Sequence, residues 1–164
     1  MRVVLMGVAG CGKSSVGAAL AEALAIPYRD GDDLHSAANI AKMSRGEALT
    51  DADRWPWLAL VGQRLRAGPM IVGCSALRRV YRERITEAAG GPVCFVHLSG
   101  SRAVIGARMR ARHGHFMPPA LLDSQFKTLE PPEPDENAVT VDIDQPLEKI
   151  VAAIRLALAG AGQK

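Results

Sequence analysis

Residues 7–14 read Gly7-Val8-Ala9-Gly10-Cys11-Gly12-Lys13-Ser14 and match the pattern G-x-x-x-x-G-K-[ST] at every fixed position. An apolar run, Arg2–Met6, comes directly before them. Apolar residues at helical spacing follow them, at Val16, Ala19, Leu20, Ala23 and Leu24. A strand, a glycine-rich loop and a helix in this order form a cradle in which backbone N–H groups and the helix dipole hold a phosphate. A glycine-rich turn without a ligand would not need both flanking elements.

This loop predicts a site for ATP with Mg²⁺. We expect Lys13 to act as a catalytic residue on the β- and γ-phosphates, and the Ser14 hydroxyl to bind the metal. The other contacts to the nucleotide are expected from Gly7, Val8, Ala9, Gly10, Cys11, Gly12 and Ser15. Cys11 lies near Lys13 and a helix N-terminus, which both favour a thiolate, but a small residue filling a small space is the simpler interpretation.

Short apolar runs alternate with helical patterns along the chain. Further strands are predicted at Pro27–Asp30, Met70–Cys74, Val93–Leu98 and Ala138–Val141, with a last helix starting at Pro146. Strands separated by helices predict one α/β domain with a five-stranded parallel sheet that is covered by helices on both faces. Two polar stretches interrupt the alternation. We interpret them as an insertion over residues 35–66 and a lid over residues 108–125.

Composition limits the class of protein. The 164 residues are 48% hydrophobic and 23% charged, and 20 basic residues against 17 acidic ones give a net charge of +3. This small positive charge suits an enzyme whose substrates are anions. It is far below the charge density of a basic tail that binds nucleic acid. No apolar run is long enough for a membrane span or a signal-peptide core. The three cysteines form no C-x-x-C pair, so we expect a reducing cytoplasm.

Carboxylates follow the second predicted strand, in the run Asp30-Gly31-Asp32-Asp33. Ligands of open α/β sheets bind beyond the carboxyl ends of the strands. One carboxylate there can orient or deprotonate an attacking hydroxyl, and another can hold Mg²⁺ through water. Asp is also a common helix N-cap after a strand, and the spacing alone leaves both interpretations open.

Several further blocks of sequence resemble the gluconate kinase (gluconokinase) family. They are Asp30–His35, Asn39–Met43, Leu49–Leu58, Gly73–Arg82, Gly114–Met117, Leu121–Phe126 and Leu129–Pro132. The resemblance extends from Val3 to about Asp142. This family is the small P-loop kinase type, related to shikimate and nucleoside-monophosphate kinases. The resemblance implies ATP-dependent phosphorylation of D-gluconate at its terminal hydroxyl.

The resemblance also implies a set of site residues. Asp32 would orient or deprotonate the acceptor hydroxyl, and Asp30 would belong to the Mg²⁺ shell. Gluconate, a carboxylate with a row of hydroxyls, would be bound by Asp32, His35, Lys42, Arg54, Ser75, Arg79, His115 and Gln125. By analogy with related kinases, Arg108 would stack on adenine and Arg112 would contact the transferring phosphate. The two arginines share a helix face, which a solvated basic surface would also explain. The family resemblance further suggests a homodimer.

Two other functions remain as alternatives. The first is a kinase of the same fold for shikimate or a nucleoside monophosphate. A shikimate site should show a triple-glycine turn after the third strand, where this chain has Gly73-Cys74-Ser75-Ala76. The second is a nucleic-acid-binding P-loop module, supported only by the arginines of residues 78–84 and 102–112. Tyr81 is the sole aromatic residue in these two segments, so they offer few side chains that could stack on nucleic-acid bases.

Overall fold

The computed structural model describes residues 1–111 and 119–161. The strands are β1 (Arg2–Met6), β2 (Tyr28–Asp30), β3 (Met70–Gly73), β4 (Cys94–Ser99) and β5 (Ala138–Asp142). The helices are α1 (Lys13–Leu24), α2 (Ala37–Ser44), α3 (Asp51–Arg66), α4 (Arg79–Ala89), α5 (Arg102–Ala111), α6 (Pro119–Thr128) and α7 (Leu147–Ala161). A short 3₁₀ helix, Gly31–Leu34, follows β2. Within these residues, no helix is both long and apolar enough to cross a lipid bilayer.

The strands form one parallel sheet in the order β2-β3-β1-β4-β5. The connection that leaves β1 runs toward β2 on one side, whereas the connection that leaves β3 runs toward β4 on the other. Such a reversal opens a crevice at the carboxyl ends of the two strands. The glycine-rich loop that follows β1 lies at this crevice. The five-stranded parallel sheet predicted from the sequence is therefore confirmed.

Both faces of the sheet are buried, as the continuous apolar strands require. In β1, Val3 and Leu5 pack in one core cluster, while Val4 and Met6 pack in the other. The first cluster includes apolar residues of α1, α5, α6 and α7. The second is closed by residues of α3 and α4. Alternate side chains of β1 thus pack against helices on opposite faces of the sheet, as expected for a parallel sheet with helices on both faces.

The structure divides the predicted insertion over residues 35–66 into two parts. Helix α2 is largely exposed, but α3 buries Trp57, Leu58, Val61 and Leu65 in the second core cluster. Because these residues recur at helical spacing, α3 is one of the helices that cover the sheet. Only residues 35–50 form an excursion from the α/β pattern. The predicted ends of the strands and of α1 agree with the structure to within one residue.

Gly17 of α1 makes room for the ring of Tyr28 at the start of β2, because a Cβ at Gly17 would overlap that ring. We predict that Gly17→Ala lowers the free energy of unfolding by about 1–3 kcal/mol, since overpacking outweighs the better helix propensity of alanine. The matched control is Gly160→Ala in α7, where an added Cβ meets nothing within 4 Å. Urea unfolding of both variants is the measurement, and equal stabilisation by the two changes would contradict the predicted overlap.

Candidate active site

The phosphate loop lies between β1 and α1 in a conformation that only its glycines adopt easily. Gly10 has φ 77° and Gly12 has φ 97°, both in the left-handed region. Gly12 is also the N-cap residue of α1, and no side chain of the described residues hydrogen-bonds to the helix end there. The first turn of α1 contains no acidic residue. Its N–H groups and the positive end of its dipole therefore remain available for an anion.

Lys13 points back over this loop. Its Nζ donates to the carbonyl oxygens of Gly7 at 3.0 Å and Val8 at 3.2 Å. The main chain after β3 lies alongside, because the Gly7 N–H donates to the Ser75 carbonyl at 3.2 Å. Cys11 is 0% exposed, so its side chain fills space within the loop, in agreement with the packing interpretation. The structure thus brings Lys13 and Ser75 to the same side of the loop.

Asp30 and Asp32 stand at the end of β2, beside Lys13. Asp30 Oδ1 accepts a hydrogen bond of 2.9 Å from the Asp32 N–H and caps the 3₁₀ helix, so the capping interpretation applies to that oxygen. Asp32 is exposed, yet the neighbouring protein partly desolvates its carboxylate and raises its pKa. The negative charges of Asp30 and Asp33 raise this pKa further, and the Lys13 ammonium opposes them. Asp32 is consequently a better proton acceptor than an ordinary aspartate.

His35 follows the short helix that carries Asp32, and its ring is stacked on Trp57 at a centroid distance of 4.0 Å. The Asn39 side-chain amide donates to the Asp53 carbonyl at 3.0 Å, which fixes that amide's orientation. Its nitrogen also lies 3.3 Å from His35 Nδ1. Burial and the Arg54 charge lower the pKa of His35, which favours the neutral ring. A neutral ring that accepts at Nδ1 carries its proton on Nε2, from which it can donate to a ligand.

A second polar cluster joins α3 to the start of α4. Tyr81 donates to Asp51 at 2.5 Å, and Arg54 donates to the Tyr81 hydroxyl at 3.2 Å. Arg78 donates to the other Asp51 oxygen at 2.8 Å. Both guanidinium groups lie about 5.5 Å from the centre of the Tyr81 ring. Sequence reasoning found Arg54 in this cluster but missed Arg78, Tyr81 and Asp51.

Arg79 was expected to bind gluconate, and the structure places it elsewhere. Its guanidinium contacts Glu83, Glu133 and Asp135, with the closest distance 2.7 Å to Asp135. Arg78 is the extended N-cap residue of α4, whereas Arg79 is its first helical residue, so the two side chains diverge. Arg78, and not Arg79, is the arginine that lies beside Arg54. A run of adjacent arginines does not reveal this until the start of the helix is known.

Lys42 lies on α2 and is joined to the start of α3. Its Nζ contacts Asp53 Oδ2 at 2.7 Å. Asp53 also forms a capping box with Thr50, and these contacts hold the pKa of its carboxyl at about 2. Lys42 is therefore tethered next to His35 and Asn39, within the excursion of residues 35–50. Asn39 and Asp53 thus join His35 to Lys42, and the Arg54 charge lies close enough to His35 to affect its ring.

Arg108 lines a cleft on the opposite side of the phosphate loop. The cleft has a volume of about 460 Å³ and is lined in part by Gly12, Ser15, Gln145 and Leu147. The Arg108 guanidinium donates to the Ile143 carbonyl. This cleft is lined by both apolar and polar residues, and its volume is typical of small-molecule sites. A cleft of this kind next to the phosphate loop suits the base of a nucleotide. Arg108 thus lies beside the phosphate loop, and its contact with adenine stays a prediction.

Gln125 contacts the phosphate loop directly. Its Oε1 accepts a hydrogen bond of 2.6 Å from the Ala9 N–H. Two other predicted site residues, Arg112 and His115, lie outside the described residues, as does the middle of the predicted lid. Residues 108–111 of that lid belong to α5 and residues 119–125 belong to α6.

The loop after β3 is held by a buried ion pair. Arg82 is 2% exposed and donates to both oxygens of Glu136, at 2.6 and 3.0 Å. It also donates to the Ala76 carbonyl at 2.9 Å. Ala76 has φ 43°, a conformation that this contact helps to maintain. Arg82 therefore positions the segment that carries Ser75, although it lies away from the cleft itself.

The site has donors for Mg²⁺, although no three His, Cys, Asp or Glu side chains of the described residues form a complete metal cluster. Mg²⁺ retains several waters and is bound in kinases by one or two protein oxygens together with phosphate oxygens. The Ser14 hydroxyl at the start of α1 and the Asp30 carboxylate at the end of β2 are oxygen donors of this kind. The donor set therefore fits a metal that arrives with the nucleotide.

Comparison with known proteins gives matches over nearly the whole chain. Residues 3–132 match the protein family described as AAA domain. The thermoresistant gluconokinase of Escherichia coli (strain K12) is 47% identical over 158 residues, covering 92% of this chain and 89% of that protein. A probable gluconokinase of Mus musculus is 41% identical, covering 95% of this chain and 96% of that protein. The crystal structure of a gluconokinase from Sinorhizobium meliloti 1021 superposes with a TM-score of 0.88 at 52% identity, covering 99% of this chain and 91% of that chain.

The buried Arg82–Glu136 pair yields a stability prediction. Glu136→Ala leaves the Arg82 charge buried without its partner, so we expect a loss of about 3 kcal/mol or more in the free energy of unfolding. Glu133→Ala is the matched control, because Glu133 pairs with Arg79 at the surface and is 66% exposed. We expect that control to change stability by about 1 kcal/mol or less. Denaturant unfolding measures both, and equal small effects would contradict the role given to Arg82.

Proposed function

The chain belongs to the gluconokinase family, and we propose that it transfers the γ-phosphoryl group of ATP to the terminal hydroxyl of D-gluconate, giving 6-phosphogluconate. One observation carries the assignment of the reacting groups: Asp32 follows β2 and Lys13 follows β1 at the same edge of the parallel sheet, close enough for the Lys13 ammonium to act on the Asp32 carboxylate. A proton acceptor and a phosphate-binding cation thus stand side by side at one edge of the sheet. The polar side chains of residues 35–54 lie on the far side of Asp32, where the acceptor has to bind.

The nucleotide is proposed to lie along the phosphate loop. The N–H groups from Gly10 to Ser15 hold the phosphates, and the adenine occupies the cleft beside Arg108. When phosphate is bound, Lys13 exchanges its contacts with loop carbonyls for contacts with the β- and γ-phosphates. These interactions neutralise charge on the transferring group, which is the main requirement of phosphoryl transfer.

Asp32 is proposed to orient the acceptor hydroxyl and to take its proton. The hydroxyl oxygen forms a bond to the γ-phosphorus while the bond from that phosphorus to the bridging oxygen of ADP breaks. ADP leaves with the electron pair of the broken bond, and the hydroxyl proton passes to the Asp32 carboxylate. The pKa of Asp32 is raised by burial and by Asp30, which strengthens it as the base for this step.

Gluconate is proposed to bind between Asp32 and the start of α3. His35 donates from Nε2 to a hydroxyl, while Lys42 and Arg54 supply positive charge for the carboxylate. Ser75 contributes from the loop after β3. Arg78 adds a second guanidinium next to Arg54, at a place where the sequence alone pointed to Arg79. His115 stays a candidate on the strength of the family resemblance.

Mg²⁺ is proposed to be held by Ser14 and Asp30. When bound, the metal supplies positive charge to the phosphate oxygens. Asp30 already uses Oδ1 to cap the 3₁₀ helix, so its carboxylate is held at a fixed place at the end of β2. This fixed carboxylate suits a metal whose other ligands are phosphate oxygens and water.

The function is tested by an acceptor panel with ATP consumption as the readout, and direct detection of 6-phosphogluconate as the product. We expect turnover with gluconate and little with shikimate or a nucleoside monophosphate. Lys13→Ala should lower kcat by at least about 10²-fold while the protein stays folded. Lys149→Ala, at an exposed position of α7, is the control and should behave as the unmodified protein. Full turnover by Lys13→Ala, or preference for another acceptor, would refute the proposal.

The pH dependence tests Asp32 as the base. Because Asp32 must be deprotonated, kcat/KM should fall as the pH falls through its raised pKa, and the acid limb should lie above the range of an ordinary aspartate. Asp33→Asn removes a negative charge that raises this pKa, so the limb should move to lower pH. Asp32→Asn should lower kcat by about 10²-fold or more and leave ATP binding intact. An acid limb that does not move in Asp33→Asn would assign it to another group.

A further inference from the structure

Gln125 binds the phosphate loop in an orientation that the hydrogen bond itself determines. Its partner, the Ala9 N–H, is a donor, so the side-chain atom in contact with it at 2.6 Å has to be the amide oxygen. The amide nitrogen, with its two N–H donors, is then directed to the other side of the side chain. No sequence pattern pointed to this contact, because the two residues are 116 positions apart.

The contact lies at the part of the loop where the terminal phosphate is expected. Lys13 Nζ stands against the carbonyl oxygens of Gly7 and Val8, the two residues directly before Ala9. Since this lysine acts on the β- and γ-phosphates, the segment Gly7–Ala9 faces the group that is transferred. A side chain fixed to Ala9 therefore stands next to the reacting phosphoryl group and away from the adenine cleft.

Gln125 is held there by a helix that is packed on both sides. In α6, Leu122 is 6% exposed and packs with Phe126 against the first core cluster. Asp123 forms an ion pair with Arg102 of α5. Directly after the helix, the Glu130 N–H donates to the Leu77 carbonyl at 2.8 Å. A side chain on such a fixed element keeps its geometry better than one on a loop.

We propose that Gln125 is a catalytic residue that binds the transferring phosphoryl group. Its Oε1 stays on the Ala9 N–H, and its Nε2 donates to a γ-phosphoryl oxygen as the bond to ADP breaks and the bond to the acceptor oxygen forms. The proton still passes from the acceptor hydroxyl to Asp32. This inference rests on the proposed phosphoryl transfer, but not on gluconate as the acceptor. It departs from the family-based expectation, which placed Gln125 among the gluconate ligands.

A neutral amide is well suited to this position. Negative charge is spread over the equatorial oxygens of the transferring group, and a preorganised N–H donor stabilises it in the transition state. A glutamate of the same shape would keep the acceptor contact to Ala9 but would place a negative charge against the phosphoryl oxygens. Gln125→Glu therefore separates the anchoring function of the side chain from its donor function.

The experiment compares Gln125→Ala, Gln125→Glu and the control Lys127→Ala, an exposed residue of the same helix. Steady-state kinetics give kcat and KM for gluconate. Calorimetry without gluconate gives the affinities for ADP and for a non-hydrolysable ATP analogue, and thermal unfolding checks the fold. In Gln125→Ala we expect kcat to fall about 10²-fold and KM for gluconate to change by less than about threefold. The affinity for the ATP analogue should fall about tenfold while that for ADP is retained.

Gln125→Glu should lose more activity than Gln125→Ala while keeping its thermal stability, because the added charge repels the phosphoryl group. A rise in KM for gluconate at unchanged kcat would overturn the proposal and return Gln125 to the acceptor site. Tighter binding of the ATP analogue by Gln125→Ala would also overturn it, since Gln125 would then only compete with phosphate for Ala9. The nucleotide-binding measurements contain no gluconate, so they remain decisive even if another acceptor proves to be the substrate.

Discussion

The first turn of α1 leaves its N–H groups without partners, and much of the active site is arranged around that requirement. Gly12 begins the helix in a left-handed conformation without a side-chain cap, so an external anion has to satisfy these donors. Three other parts of the chain converge on the same loop. Ser75 accepts from Gly7, the Met109 side chain lies where a Cβ of Gly10 would reach within 2.6 Å, and Gln125 accepts from Ala9. The loop is thus supported from β3, α5 and α6, and its inner face is left for phosphate.

The residues proposed to bind the acceptor are held at the same edge of the sheet by a hydrogen bond to a backbone carbonyl. Trp57 of α3 donates from its indole nitrogen to the Gly31 carbonyl at 2.7 Å, which fixes α3 to the short helix that carries Asp32. The Trp57 ring also supports His35 by stacking. One buried tryptophan therefore sets the distance between the proton acceptor and the residues that would bind the sugar acid. This explains why a residue of the hydrophobic core stands within a motif that resembles a substrate-binding block.

Local pattern predicted the parts of the structure that depend on neighbours in sequence. The phosphate loop, α1 and the strands follow from glycine spacing and apolar periodicity, and their ends agree with the structure. The choice between Arg78 and Arg79 could not be made in this way, because it depends on the residue at which α4 begins. The sequence assigned α3 to the insertion over residues 35–66, because its buried residues share that segment with many polar ones. The contact of Gln125 with Ala9 depends on packing between distant elements, which no local pattern contains.

The base strength of Asp32 links the two halves of the site. Burial and the charges of Asp30 and Asp33 make its carboxylate more basic, whereas the ammonium of Lys13 makes it less so. The charge of Lys13 acts on the Asp32 carboxylate only because two strands end at the same edge of the parallel sheet. These are β2, which precedes Asp32, and β1, which precedes the phosphate loop. An aspartate elsewhere in the excursion, such as Asp53, has its pKa held at about 2 by Lys42 and the capping box, and it is useless as a proton acceptor near neutral pH. Asp32 has no such partner among the described side chains. The position of Asp32 at the end of β2, more than the residue type, therefore accounts for the raised pKa of its carboxyl.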